Sequence, residues 1–276
     1  MWLNRPKGYD GWAVLNDLDG NVANAWRAMK SCPLEVAEDA CHPVHECDLH
    51  ARHLWLVNNL PKLAARLMAD PDYCEPKTAG WWIWGINQWI GSGWCAGEGG
   101  WVAAPDEDGV PTLTRNGGQG VSRKLPHLGD GGKGVSRKLQ GDRLLWLESW
   151  FSALSDSLSK ARIACGDWER ICSVGTITKN GTCAVLLDPP YSLTNAVYAH
   201  DSSSVSADVR AWCERHGDNP KLRIALCGHA GEGHESLVNA GWTVEEWGKG
   251  GGYQGADDRE RIWFSPACLR HGGLFV

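Results

Sequence analysis

The stretch Asp188-Pro189-Pro190-Tyr191 places an acid, two prolines and a tyrosine directly after the apolar run AVLL. Proline cannot donate a backbone hydrogen bond, but its carbonyl still accepts one, and its fixed φ holds the chain rigid. The aspartate adds a second acceptor and the tyrosine a flat aromatic face. This combination suits a planar ring that carries an amino group, with the ring stacked on Tyr191 and its N–H bonds held by Asp188 and a proline carbonyl.

Such a corner can activate an aromatic amine, which is a poor nucleophile because its lone pair is delocalised into the ring. When two acceptors receive hydrogen bonds from its N–H groups, the nitrogen becomes more pyramidal. Its lone pair can then attack an electrophile. A plain Pro-Pro turn in which the tyrosine packs is the competing interpretation of the same four residues.

Four segments predict buried strands that end in a polar residue: WAVLNDL, ARIACGD, CAVLLDPP and LRIALCGH. Helices are predicted between them, at Asn21–Lys30 and around Val205–Arg215. Strands that alternate with helices indicate an α/β fold with a mostly parallel, doubly wound sheet, whose ligands bind at the carboxyl ends of the strands. Asp17, Asp167 and Asp188 follow such strands, so we expect a site there. GWTVEEW and ERIWFSP predict an antiparallel pair at the sheet edge.

The middle of the chain has a different pattern. Helices are predicted at Glu46–Met68, in the first half of Trp81–Trp94, and at Leu144–Ala161. Between them, Gly97–Asp142 is predicted to be a loop because it is rich in glycine and polar residues. It contains GGQGVSRKL and GGKGVSRKL, two copies of one short unit that are offset by fourteen residues.

The composition indicates a cytosolic protein without a metal site. The eleven cysteines form no Cys-x-x-Cys pair, and their odd number favours reduced thiols. The spacing of cysteines and histidines between Cys41 and His53 matches no standard zinc finger. The N-terminus has no signal-peptide pattern, and the uncharged run Thr78–Gly97 is too polar for a membrane span.

The motifs together resemble Dam-like DNA adenine N6-methyltransferases. DPPY after an apolar strand resembles the catalytic signature of that family. Asn16–Met29 resembles its second cofactor motif, and Cys165–Ile171 resembles its third. WWIWGINQWIGSGWC and ERIWFSP extend the resemblance to a phage and bacterial branch, so it covers nearly the whole chain.

The resemblance implies a fold of the S-adenosylmethionine-dependent methyltransferase type. Residues 1–30 and 151–276 would form the catalytic core, and 31–150 an inserted, mainly helical and loop region for target recognition, with a flexible basic loop at about 97–142. The implied activity is site-specific methylation of adenine in double-stranded DNA, in the cytoplasm of a bacterium or a phage-infected host, as in restriction–modification systems. The adenine would be flipped out of the duplex to reach the pocket.

Residue roles carry over from the matching motifs. Asp188, Pro189, Pro190 and Tyr191 would bind and activate the adenine. Asp17 would accept hydrogen bonds from the cofactor ribose, Asp167 would lie near the cofactor's adenine or amino-acid end, and Trp168 would be a packing surface. The net charge of the chain is −6, but the segment from Arg115 to Arg143 contains seven basic residues and only two aspartates. DNA contacts are predicted for Arg115, Arg123, Lys124, Lys133, Arg137 and Lys138.

The chain departs from the family at one point. A Phe-x-Gly-x-Gly turn that cradles the methionine part of the cofactor should precede WAVLND, yet only eleven residues do. The Gly-Ser-Gly of Ile90–Gly97 follows the second motif and resembles the specificity region instead. We therefore expect a fragment or an internal start, which leaves the activity of the chain as written open.

Three alternatives remain open from the sequence. The chain could be a catalytically inactive, DNA-binding remnant of such an enzyme. It could methylate cytosine N4 or an amino group in RNA, although an aspartate at the head of the motif favours adenine. Asp17 and Asp167 could each be a turn or helix cap rather than a ligand contact.

Overall fold

The protein forms two compact units, Met1–Arg170 (unit 1) and Ile171–Val276 (unit 2), each of which combines helices with small sheets that include parallel strands. The predicted mixed α/β class is therefore confirmed. Residues 1–30 and 31–150 both belong to unit 1. The computed structural model describes residues 2–5, 8–89, 94–95, 101–105, 111–115, 143–190, 203–246 and 260–268.

Unit 1 contains four strands and six helices among its described residues. The strands are β1 (Ala13–Asp17), β2 (Trp101–Pro105), β3 (Pro111–Arg115) and β4 (Ala161–Cys165). The helices are α1 (Gly20–Ser31), α2 (Pro33–Ala40), α3 (Glu46–Ala69), α4 (Pro76–Ile86), α5 (Arg143–Leu158) and the short α6 (Trp168–Ile171), whose last residue already belongs to unit 2.

The strands β1 and β4 form a parallel pair, with Ala13 opposite Ala161 and Asp17 opposite Cys165. The sequence predicted both strands within one or two residues. The backbone N–H of Gly166 donates to the Asp17 carbonyl over 3.1 Å, which continues the pairing past the strand ends. The residues that follow β1 and β4 therefore leave the sheet at the same edge.

Two features of the middle region differ from the prediction. Gly97–Asp142 was expected to be a loop, but β2 and β3 form an antiparallel pair within it. The two strands, WVAAP and PTLTR, are short and contain few β-branched residues, and the glycines around them favour a loop prediction. The helix expected at Leu144–Ala161 begins at Arg143 and ends at Leu158, and Ala161 is the first residue of β4.

Small residues allow the helices of unit 1 to pack closely. Asp19 caps α1, because its Oδ1 accepts a hydrogen bond of 2.8 Å from the Asn21 N–H. Gly80 lies against the backbone of α2, where a side chain would collide with Asp39 and Val36. The core between helices α1 to α5 consists of Ala28, Met29, Val36, Ala37, Ala40, Leu49, Ala79, Trp84, Leu147 and Phe151.

A buried arginine connects three parts of unit 1. Arg27 on α1 is only 6% exposed. Its Nε donates to the Ile163 carbonyl of β4 over 3.0 Å, and its Nη1 donates to the carbonyls of Asp70 and Tyr73 over 2.8 and 3.2 Å. Burial lowers the pKa of Arg27, but a guanidinium stays charged at ordinary pH. The hydrogen bonds are therefore required to compensate for a desolvated charge.

Unit 2 contains a four-stranded sheet of order β5-β6-β8-β7, formed by β5 (Cys183–Leu187), β6 (Leu222–His229), β7 (Thr243–Glu246) and β8 (Glu260–Phe264). β5 and β6 are parallel, whereas β8 runs antiparallel to both β6 and β7. The predicted antiparallel edge pair is thus confirmed. The described helices are α7 (Val174–Ile177), α8 (Ser203–His216) and α9 (Ser236–Asn239).

The described residues also show the state of the cysteines and the character of the helices. All eleven cysteines lie in described parts of the chain, and none is in a disulfide. Among the described helices, none combines the length and the apolar character that a bilayer crossing requires.

Loss of Arg27 should destabilise unit 1. Arg27→Met would leave the carbonyls of Ile163, Asp70 and Tyr73 without their buried donor, so we expect the free energy of unfolding to fall by about 2–4 kcal/mol. Urea denaturation followed by circular dichroism measures it. Arg162→Met, at an exposed position of β4, is the control and should change the free energy by about 0.5 kcal/mol or less. Equal effects of the two substitutions would contradict the role of Arg27.

Candidate functional site

The aspartate of the DPPY corner is exposed at the end of a partly buried strand. Val185 and Leu187 of β5 are buried, whereas Asp188 is exposed and Pro189 is buried again. Pro190 is half-buried, and Tyr191 lies outside the described residues. Because a proline follows Asp188 directly, the backbone that presents this carboxylate to solvent is restricted. Asp188 is thus exposed at the point where β5 ends.

The neighbouring strand places a thiol beside this carboxylate. Leu187 pairs with Leu226, so the next residues along the parallel strands are Asp188 and Cys227. Burial, with a smaller contribution from the negative charge of Asp188, raises the pKa of Cys227 to about 12. Cys227 is therefore a neutral thiol at physiological pH, and a weak nucleophile.

A buried polar cluster lies beyond the carboxyl end of β6. Glu232 accepts a 3.0 Å hydrogen bond from the His229 backbone N–H, and its carboxylate lies 3.8 Å from His234 Nε2. Ser206 Oγ of α8 is 3.3 Å from the same nitrogen. Burial lowers the pKa of His234 despite the nearby glutamate. A Cβ at Gly228 would lie 2.7 Å from the His234 ring, so glycine allows this approach. Sequence analysis missed the cluster, although the spacing in HAGEGH was its signal.

In unit 1, Asp17 is the last residue of β1, and Asp167 lies two residues after the end of the adjacent parallel strand β4. Asp17 Oδ1 accepts from the Asp19 N–H, and Asp167 Oδ1 accepts from the Glu169 N–H, each over 2.8 Å. The turn and cap contacts that the sequence left open are therefore present. Asp167 is exposed and Trp168 is half-buried, so a ligand can reach this edge. The structure thus brings Asp17 and Asp167 to one edge of unit 1, whereas Asp188 belongs to unit 2.

Most of the residues predicted to contact DNA fall outside the described part of the chain: Arg123, Lys124, Lys133, Arg137 and Lys138. Arg115 is the last residue of β3, and only its backbone is described. Arg143 begins α5.

The cysteine and histidine segment packs against tryptophans. His53 of α3 stacks on Trp89, with ring centroids 4.6 Å apart and an interplanar angle of 14°, and it lies 5.2 Å from the Trp94 ring. Its Nδ1 is 3.9 Å from Cys95 Sγ. No group of three metal-ligating side chains occurs among the described residues. Burial, with a smaller contribution from His50, lowers the pKa of His53 to about 4.

No model of a protein family matches the sequence, and no curated protein is significantly similar to it.

Unit 1 should lose stability in mild acid because of His53. Its pKa of about 4 in the folded protein lies below the usual 6.5, so the unfolded chain takes up a proton first. The stability is complete above pH 6.5 and falls as the pH drops towards 4, by on the order of 3 kcal/mol. Denaturation at a series of pH values measures this loss.

His53→Phe keeps an aromatic ring against Trp89 and removes the titrating group. We expect this variant to lose distinctly less stability over that pH range, whereas His45→Phe, at an exposed position, should follow the unmodified protein. Parallel curves for all three proteins would show that His53 does not control this loss.

Proposed function

We propose that the protein is an S-adenosylmethionine-dependent DNA methyltransferase that acts on the N6 amino group of adenine. The observation that carries the proposal is the exposed Asp188 carboxylate at the carboxyl end of β5, directly before two prolines. Open α/β sheets bind their ligands at this end of the strands. The ordered motifs around Asp17, Asp167 and Asp188 are a second, independent support.

The proposed role of the corner is to hold the exocyclic amine in a reactive geometry. Asp188 and a proline carbonyl would accept the two N–H bonds, and Tyr191 would stack on the ring. The amine lone pair would then be directed out of the ring plane without prior deprotonation. Because the acceptors are fixed before the reaction, they would favour the transition state with little reorganisation. The adenine must leave the base stack for its amino group to reach Asp188.

The residues of unit 1 suit the cofactor side of the proposal. S-adenosylmethionine, when bound, would supply a methyl group on a sulfonium. Asp17 and Asp167 offer carboxylate oxygens at adjacent strand ends, and these are suitable acceptors for ribose hydroxyls or an amino group. A carboxylate oxygen can accept more than one hydrogen bond, so the capping contacts of Asp17 and Asp167 are compatible with ligand binding.

The direction of the strands also supports a doubly wound sheet. The pairs β1–β4 and β5–β6 are both parallel, as neighbouring strands of such a sheet are.

Removal of the Asp188 acceptor should abolish methyl transfer. We expect Asp188→Ala to lower the rate by at least about 100-fold, because it removes an acceptor that is fixed before the reaction. Transfer of tritiated methyl groups to DNA measures the rate, with this chain and with any longer chain that its gene encodes. Asp218→Ala, at an exposed position of unit 2, is the control.

Undiminished N6-methyladenine from Asp188→Ala would refute the mechanism, and N4-methylcytosine or methylated RNA as product would identify another target.

A measurement of cofactor binding distinguishes an active enzyme from an inactive, DNA-binding remnant. Calorimetry should detect S-adenosylmethionine binding, and Asp17→Ala should weaken it by about tenfold through the loss of one charge-assisted acceptor. Asp10→Ala, at an exposed carboxylate before β1, is the control. DNA binding by a chain that does not bind S-adenosylmethionine would favour the remnant.

A further inference from the structure

A small groove lies between the second half of α3 and the start of α4, within unit 1. Its volume is about 160 Å³, and its apolar lining includes Leu56, Leu60 and Leu63. Pockets for drug-sized ligands measure about 300–1,000 Å³, so this groove suits a single ring rather than a large molecule. None of the residues discussed for the candidate site above lines it.

One wall of the groove is an exposed aromatic ring. Trp55 is 40% exposed, although indole rings usually bury most of their surface. Trp81 of α4 meets it edge-on, with ring centroids 5.6 Å apart and an interplanar angle of 76°. This contact fixes the Trp55 ring, so that a planar ligand could stack on it without a large loss of side-chain entropy.

Exposed cations surround the aromatic wall. Lys62 and Arg66 line the groove, and Lys77 Nζ lies 4.8 Å from the centre of the Trp81 ring. A hydrogen bond to Tyr73 raises the pKa of Arg66, so the guanidinium of Arg66 stays positively charged. Arg66 pairs with the Glu75 carboxylate over 3.4 Å, so the three cations and this one anion give the groove a net charge of about +2.

The Glu75 carboxylate, which also lines the groove, is fixed by hydrogen bonds. Glu75 Oε2 accepts from Thr78 Oγ1 over 3.0 Å, and Oε1 accepts from the Tyr73 hydroxyl and, over 3.4 Å, from Arg66. Asn24 of α1 fixes the Glu75 backbone through hydrogen bonds to its N–H and its carbonyl, of 2.7 and 3.0 Å. An acceptor positioned in this way can receive an N–H from the edge of a ring.

We propose that this groove binds one unstacked nucleotide of DNA, at a site separate from the DPPY corner. The base would stack on Trp55 and present its polar edge to Glu75, while Lys62, Arg66 and Lys77 would contact the flanking phosphates. The choice of DNA as the ligand rests on the proposed function. The combination of a ring-sized apolar groove, an exposed indole and a cationic rim favours a nucleotide over a peptide.

The first experiment measures the affinity for a fluorescein-labelled single-stranded oligonucleotide by anisotropy, without S-adenosylmethionine. Trp55→Ala should raise the Kd by about 5- to 150-fold, as expected for one stacked base. Trp146→Ala is the matched control, because Trp146 on α5 is 39% exposed and lies outside the groove. It should leave the Kd about unchanged, and Trp55→Phe should retain most of the affinity.

A second comparison tests the cationic rim through the salt dependence. Lys62→Glu should lower the magnitude of the slope of log K against log salt by about 0.7, the value for one phosphate contact of a single strand. Lys179→Glu, the same change at an exposed position of unit 2, should not lower it. Thermal melting confirms that each variant is folded.

Equal Kd values for the folded Trp55→Ala and Trp146→Ala variants would overturn the inference, as would equal slopes for the two lysine variants. The anisotropy measurement contains no S-adenosylmethionine and detects no methyl transfer, so the two proposals are tested separately. A failure of methyl transfer would not contradict the groove, and groove variants that bind normally would not contradict the methyltransferase proposal.

Discussion

The hydrogen bonds of one face of α1 hold unit 1 together. Arg27 connects this helix to the Ile163 carbonyl of β4 and to the turn after α3. One turn earlier, Asn24 fixes the backbone of Glu75 at the start of α4. Because a buried guanidinium without partners is very costly, the strand and the turn must both stay in place. The same helix face therefore positions the strand that leads to Asp167 and the carboxylate of the Trp55 groove.

A different constraint positions the carboxylate of unit 2. Leu187 is buried at the end of β5, and Pro189 is buried one residue after Asp188. An aspartate between two buried residues is directed to solvent by the alternation of the strand. Proline restricts its own φ and the conformation of the residue before it, so this orientation is largely a property of the local sequence. The corner can thus present an acceptor without support from a distant loop.

Local patterns predicted much of this structure. The strands that end near Asp17, Asp167 and Asp188 were recognisable because a short apolar run followed by an acid is a local signal. The pair β2–β3 was not recognised, since its pairing depends on contacts between two short runs among glycines. The contacts of Arg27, and those between Ser206 and His234, join residues that are distant in the sequence. A single sequence carries no local signal for such pairs, so the groove at Trp55 could not be foreseen either.

The two carboxylates of unit 1 do not by themselves separate an enzyme from a binding protein. Asp17 and Asp167 each cap a local turn through one oxygen, and either kind of protein would need that cap to shape the strand end. A carboxylate has about four lone-pair sites, so a ligand could share it. Asp188 differs, because its exposure between two buried residues gives the carboxylate access to a ligand at the point where β5 ends. Under the proposed function, Asp188 of unit 2 would hold the reacting amine, whereas Asp17 and Asp167 of unit 1 would contact the cofactor.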